Sequence, residues 1–299
     1  MPLASGDTGA LLASEHQAMS SSDSELRTRI VSAVVLAPVA LATMFLGGIV
    51  FAFLVVLVAV IAFWEWTSIT GAVEPFWLRI GCLVFLAVGL FAVAWSRTDW
   101  ALILIGGPAL VSLIAGYRLP SPLWTGVGLA YVAIPCAGFI VLRRAEPDGL
   151  AAILYVLIVV WATDIAAYFG GRALGGAKLW ARVSPKKTRS GALSGLAAAV
   201  VAGGIVVWLS SAGAVIAGLV LAAPLSVASQ AGDLLESALK RRFGVKDSGR
   251  IIPGHGGVLD RIDGLFAAAA LAWFLAAVGL GGDVLSLPGG GLTPSEGIP

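Results

Sequence analysis

The sequence predicts an all-α protein: a polytopic transmembrane helical bundle of about nine spans. Of its 299 residues 59% are hydrophobic and only 12% charged. A soluble domain carries about 25% charged residues, so this chain lacks the polar surface needed to face water on all sides. The mean hydropathy is +0.96. The apolar residues are gathered into long runs, and about 20 such residues cross a bilayer as a helix.

Taken in order, Met1–Glu25 is Ser-rich, carries Asp7, Glu15, Asp23 and Glu25, and has no Lys or Arg. An export signal needs a basic start followed directly by an apolar core, so residues 1–25 read as a disordered N-terminal tail. An integral membrane catalytic domain is expected over residues 26–280. Its spans are Ile30–Leu46, Ile49–Phe63, Leu78–Trp95, Trp100–Gly116, Val127–Leu142, Leu150–Phe169, Gly191–Leu209, Ala214–Ser229 and Leu265–Leu280. Only Gly47 and Gly48 separate the first two, which implies a tight helical hairpin. Several spans are short, so tilt, thinning or a broken helix is expected, and one re-entrant segment would make the count eight. Residues 281–299, rich in Gly and Pro, read as a flexible C-terminal tail. Cys82 and Cys136 lie inside apolar runs and read as small buried hydrophobes.

Charge sets the orientation. With a cytoplasmic N-terminus and nine spans, most of the 19 Lys and Arg fall on the cytoplasmic side, and Arg97, Arg143 and Arg144 fall outside. Two polar stretches, residues 170–190 and 230–263, hold most of these cations. Facing one compartment, they form either an anionic-ligand site or a contact with anionic headgroups, which attract basic segments by about 1 kcal/mol per residue. The net charge of +2 says little about partners, and no nucleic acid is expected among them.

Four features carry candidate chemistry. Asp233, Glu236 and Ser237 close the eighth span at i, i+3 and i+4, hence on one helix face. They are either a functional cluster or residues snorkelling at a helix end. Pro253-Gly-His255-Gly256-Gly257 follows Lys240, Arg241 and Lys246. Successive amides in such a turn can hold an anion. Asp260 and Asp263 share a face where the ninth span opens and the helix dipole favours anions. They are either an N-terminal cap with an Asp260–Arg261 surface pair or, with Asp233, a set suited to Mg²⁺, which takes one or two carboxylates plus substrate phosphates. Asp164 lies within an apolar helix with Tyr168 one turn on, and a polar cavity is its expected neighbour. After it come Lys178, Arg182, Ser184, Lys186, Lys187 and Thr188, either a triphosphate-holding loop or a topological charge block.

From Ser237 to Asp263 the chain runs Ser, Lys-Arg, Lys-Asp, a Pro-Gly-His-Gly-Gly turn and Asp-Arg-Ile-Asp. This resembles the signature of the bacterial CDP-diacylglycerol synthases. Trp161–Arg172, Ser184–Thr188, Leu26–Arg29 and Tyr131…Pro135 support the likeness, which extends from about Leu26 to Leu280. It departs at Arg189-Ser190, where the family has an aromatic–Glu pair.

The resemblance implies a phosphatidate cytidylyltransferase of phospholipid biosynthesis, converting CTP and phosphatidic acid to CDP-diacylglycerol and pyrophosphate. It implies a multi-pass enzyme of the inner membrane with its site facing the cytoplasm. Asp233, Asp260 and Asp263 would bind metal, in a two-Mg²⁺ arrangement that could admit a monovalent ion such as K⁺. Lys186, Lys187, Lys240, Arg241, Lys246 and Arg261 would bind phosphates. Ser237 and the amides of His255, Gly256 and Gly257 would orient them, with Ser184, Thr188 and Asp164 completing the pocket. His255 is a candidate general base, although a phosphatidate phosphate is already ionised at pH 7 and phosphate contact fits it better. A homodimer is compatible with this reading.

Two alternatives stand beside it: a CTP-dependent kinase of a polyprenol or related lipid alcohol, and an anion transporter. The Asp-Gly…Asp pattern of CDP-alcohol phosphatidyltransferases is absent around Asp164 and Asp233.

Overall fold

In the computed structural model the described residues are 34–72, 76–97, 100–101, 103–108, 122–145, 148–210, 215–249, 251, 256–281 and 284–285. The helices are α1 (Val34–Leu46), α2 (Gly48–Thr70), α3 (Phe76–Ala94), α4 (residues 103–108), α5 (Pro122–Arg144), α6 (Gly149–Leu174), α7 (Arg189–Ser210), α8 (Val215–Arg242) and α9 (Leu259–Ala277). Between α6 and α7 stands an antiparallel hairpin of β1 (Lys178–Trp180) and β2 (Ser184–Thr188), with Lys178 opposite Thr188 and Trp180 opposite Ser184. The all-α expectation therefore needs this one amendment: part of the stretch 170–190 is a β-hairpin.

Among the described residues six helices are long and apolar enough to cross a membrane: α2, α3, α5, α6, α7 and α8. Of the other three expected spans, α1 is a shorter apolar helix. The segment 100–116 lies mostly outside the described residues. Helix α9 is 19 residues long and opens on Asp260, Arg261 and Asp263. The spanning helices keep apolar side chains on the outside as well, as at Trp77 and Leu209, because lipid rather than water is their solvent.

Side by side, α3, α2, α5, α9, α8, α7 and α6 form a continuous series, and α6 returns to touch α8, α5 and α9. Small residues bring neighbours close: a Cβ on Gly195 of α7 would lie 2.7 Å from the Thr163 carbonyl oxygen of α6. Without a hydrophobic drive in lipid, such close approach is what packs helices together. At the end of α5, Arg143 donates to the Met44 carbonyl of α1 at 2.7 Å, and Arg144 to the Val93 carbonyl of α3 at 2.8 Å. Cations at helix C-termini satisfy free carbonyls and match the dipole. Packing also reaches past the expected boundary at Leu280, since Leu285 is fully buried in the core.

Candidate active site

A cavity of about 540 Å³ opens where α6, α7, α8 and the hairpin meet. Its walls bring together seven residues singled out from sequence: Asp164, Tyr168, Lys178, Lys186, Lys187, Thr188 and Asp233. Lys187 on β2 pairs with Asp233 on α8, so the two polar stretches meet at one end of the bundle. Close helix packing makes the cavity compact: a Cβ on Gly191 would lie 2.6 Å from the Ala167 carbonyl oxygen. Thr188 caps α7, its hydroxyl accepting from the Gly191 amide at 3.1 Å. Ser190, at the position of the departure from the family pattern, donates to the Gly175 carbonyl and shares a 3.0 Å hydrogen bond with Thr188. It closes the base of the hairpin.

Asp263 is not among the residues lining the cavity, but α8 and α9 cross at glycines, which brings it near enough for the charge of Asp233 to act on it. A Cβ on Gly232 would lie 2.6 Å from the Asp263 carbonyl oxygen, and one on Gly264 would lie 2.7 Å from Ser229 Oγ. Burial, and then the charge of Asp233, push the Asp263 carboxyl up to about 7. It precedes Leu265, where the apolar part of α9 begins.

The polar residues nearer the α9 N-terminus bond to one another. Asp260 accepts from Lys240 Nζ at 2.6 Å through Oδ1, and from the Ser248 and Gly257 amides at 2.9 and 3.0 Å through Oδ2. Burial opposes ionisation of Asp260, but these donors outweigh it and hold the carboxyl below its usual range. Both oxygens are engaged by the protein's own donors in this arrangement. Lys240 also lies 2.6 Å from Glu236, which is 1% exposed. Lys240 is therefore clamped between two carboxylates. The Gly257 amide, expected to hold substrate phosphate, is likewise taken by the protein's own carboxylate. Among the described residues no three His, Cys, Asp or Glu side chains are grouped to hold a metal ion.

Ser237, Ser184, Arg241, Lys246, Arg261 and Gly256 are not among the residues lining the cavity. Gly256 has φ +88°, as the Gly-rich turn requires. His255 lies outside the described residues.

Gln230 and Glu65 are not among the expected site residues, and Tyr131 entered only through the family likeness. Gln230 lines the cavity and donates to the Ala192 carbonyl at 3.3 Å. Tyr131 packs on Trp66 with ring centroids 5.0 Å apart, and its buried hydroxyl has no hydrogen-bond partner among the described residues. Glu65 of α2 is 2% exposed and accepts from the Val258 and Leu259 amides. The available signal was a carboxylate between Trp64 and Trp66 at the end of an apolar run.

Fold and site together define a multi-pass membrane protein with a charged cavity at one end of its helices. A family model described as the cytidylyltransferase family matches residues 27–278. The chain belongs to that family. It is 42% identical over 273 residues to the phosphatidate cytidylyltransferase of Brucella abortus biovar 1 (strain 9-941), covering 88% of this chain and 97% of that protein. It is 36% identical over 277 residues to the phosphatidate cytidylyltransferase of Haemophilus influenzae, covering 81% and 96%. Against the protein of that name from Bacillus subtilis it is 42% identical over 149 residues, or 50% of this chain and 55% of that one.

Proposed function

We propose that this protein is a phosphatidate cytidylyltransferase, joining CTP and phosphatidic acid to give CDP-diacylglycerol and pyrophosphate. The observation that carries this is the meeting of Lys187 and Asp233 in one cavity, in a chain 42% identical to a protein of that name over most of its length. A phosphate oxygen of phosphatidate attacks the α-phosphorus of CTP, the new P–O bond forms, and the bond to the β-phosphate breaks with pyrophosphate leaving. Such a transfer needs positioning and charge neutralisation more than covalent help.

Lys186, Lys187 and Lys178 on the hairpin line the cavity and bind the triphosphate. Asp233 and Asp263 would hold Mg²⁺. The fit is chemical: two neighbouring carboxylates favour a hard cation, and the Lys187 ammonium already sits on Asp233 as a positive charge in that place. When bound, the ion would neutralise charge on the attacking and leaving oxygens. Lys187 then exchanges Asp233 for substrate phosphate. A second ion, Mg²⁺ or a monovalent one such as K⁺, would draw its ligands largely from those phosphates.

The cavity end faces the cytoplasm of the inner membrane in this reading, since CTP is cytosolic and the basic loops lie there. The ninefold span count belongs to the same proposal, with α1, residues 100–116 and α9 as crossings.

The test is incubation of purified protein in detergent with labelled CTP, phosphatidate and Mg²⁺. Equal amounts of CDP-diacylglycerol and pyrophosphate are expected. Appearance of CDP with a phosphorylated lipid alcohol would instead establish the kinase. Absence of any conversion would return the transporter to consideration, because micelles have no second compartment.

A further inference from the structure

Glu65 reaches the site's supporting structure from α2, outside the polar stretches. Its Oε1 accepts from the Val258 amide at 3.0 Å, and its Oε2 from the Leu259 amide at 2.8 Å. The Ser248 hydroxyl also donates to Oε2, at 3.2 Å. The residue preceding α9, Val258, provides no side-chain cap of its own. The amides at a helix start have no partner within the helix. Glu65 supplies one from 194 positions away, where a capping side chain is ordinarily local. The helix dipole favours an anion at that point.

The surroundings are shaped to admit this carboxylate. A Cβ on Gly257 would lie 2.7 Å from Oε2, and one on Gly249 would collide with Oε1. Ser248 links the grip to the neighbouring clamp: its amide donates to Asp260 at 2.9 Å, and its Oγ accepts from the Asp260 amide at 3.3 Å. Elsewhere α9 packs chiefly on α5 and α8 and barely meets α2. The grip therefore acts at one point, the first turn of α9. Asp263 lies one turn beyond Leu259, so a small rotation of that turn swings its carboxylate relative to Asp233.

We infer that Glu65 is a positioning residue for the cytidylyl transfer: by gripping the first amides of α9 it holds Asp263 against Asp233. The inference rests on the cytidylyltransferase reading. A merely structural carboxylate would affect stability alone, whereas a positioning one also sets how well the Asp233–Asp263 pair takes its cation.

The test uses the full chain in detergent as wild type, E65Q, E65D and E65A. Turnover, the KM for CTP, the Mg²⁺ concentration giving half-maximal rate, thermal midpoint and amide exchange across residues 256–264 are measured. The expected result for E65Q and E65A is a fall in kcat of about tenfold to a hundredfold and a rise of about tenfold in the Mg²⁺ requirement. The KM for CTP should change by less than about twofold, because the hairpin lysines are untouched. Exchange at Val258 and Leu259 should quicken, and E65D, which keeps the charge, should recover part of the rate. Wild-type kcat and Mg²⁺ dependence in E65Q would overturn the inference. So would a loss that only tracks the folded fraction. If E65A does not fold, the isosteric E65Q still separates a positioning role from a structural one by the same measurements. If wild type itself converts no CTP, the assigned reaction fails, and Glu65 is judged by exchange together with Mg²⁺ titration calorimetry. Unchanged exchange and binding in E65Q would then overturn its role.

Discussion

Asp260 and Asp263 are one helical turn apart and have opposite electrostatic surroundings. Asp260 is surrounded by donors and held below the usual carboxylate range, while burial and the neighbouring Asp233 hold Asp263 up at about 7. Their linkage to stability has opposite sign. A depressed carboxyl stabilises the fold above its unfolded pKa of about 3.9 and loses that contribution as the pH falls through its folded value. A raised one does the reverse: metal-free protein gains stability as the pH falls from about 7 toward about 4. In EDTA the wild-type thermal midpoint should therefore rise from pH 8 to pH 6, and Asp263→Asn should flatten that rise. Asp260→Asn should lower the midpoint at neutral pH by the loss of about 1–3 kcal/mol, since it strips one of two carboxylate partners from half-buried Lys240 and an anionic acceptor from two amides. Thermal denaturation of the two variants across pH checks both. With Mg²⁺ present, Asp263→Asn should reduce turnover at least about a hundredfold. The sequence placed both carboxylates on one helix face, but not their different roles. Those depend on Lys240, Ser248, Gly257 and Asp233, which come from other elements or a loop.

At the scale of the element, three expected helices stop short of the real ones at their C-termini. Helix α2 runs to Thr70 instead of Phe63, α6 to Leu174 instead of Phe169, and α8 to Arg242 instead of Ser229. Hydropathy ends where polarity begins, whereas a helix ends where its backbone bonding ends. Glu65 falls in that gap. The hairpin is not legible because Lys178–Thr188 lacks the alternation and turn pairs that mark strands. Close packing of α6 on α7 should be sensitive at its glycines. Gly195→Val would push against the Thr163 carbonyl, next to Asp164, and is expected to cost about 1–3 kcal/mol. Thermal unfolding and the KM for CTP together check this: the midpoint should fall and the KM should rise as the cavity walls separate.

Over the whole molecule, the cavity and the Arg143–Arg144 caps lie at opposite ends of the bundle. Both native cysteines are buried, so introduced thiols can report topology without background. Asp247→Cys, at an exposed position of the cavity end, should react with an impermeant maleimide only after cells are opened. Asp148→Cys, exposed at the other end, should react in intact spheroplasts. The reverse pattern would invert the proposed orientation.

Composition and apolar runs alone determined that this is a helical membrane protein, because a bilayer imposes long uncharged helices whatever their partners. Spacing alone determined which polar stretches matter, and the Ser237–Asp263 pattern carried the family likeness. Tertiary structure decided what each charge does. Lys187 meets Asp233 across two elements, Asp260 turns inward to Lys240, and Glu65 caps a helix nearly two hundred residues away. The reason is physical: whether a buried carboxylate binds metal, pairs with a lysine or caps a helix depends on which donors surround it, and those donors arrive from distant parts of the chain.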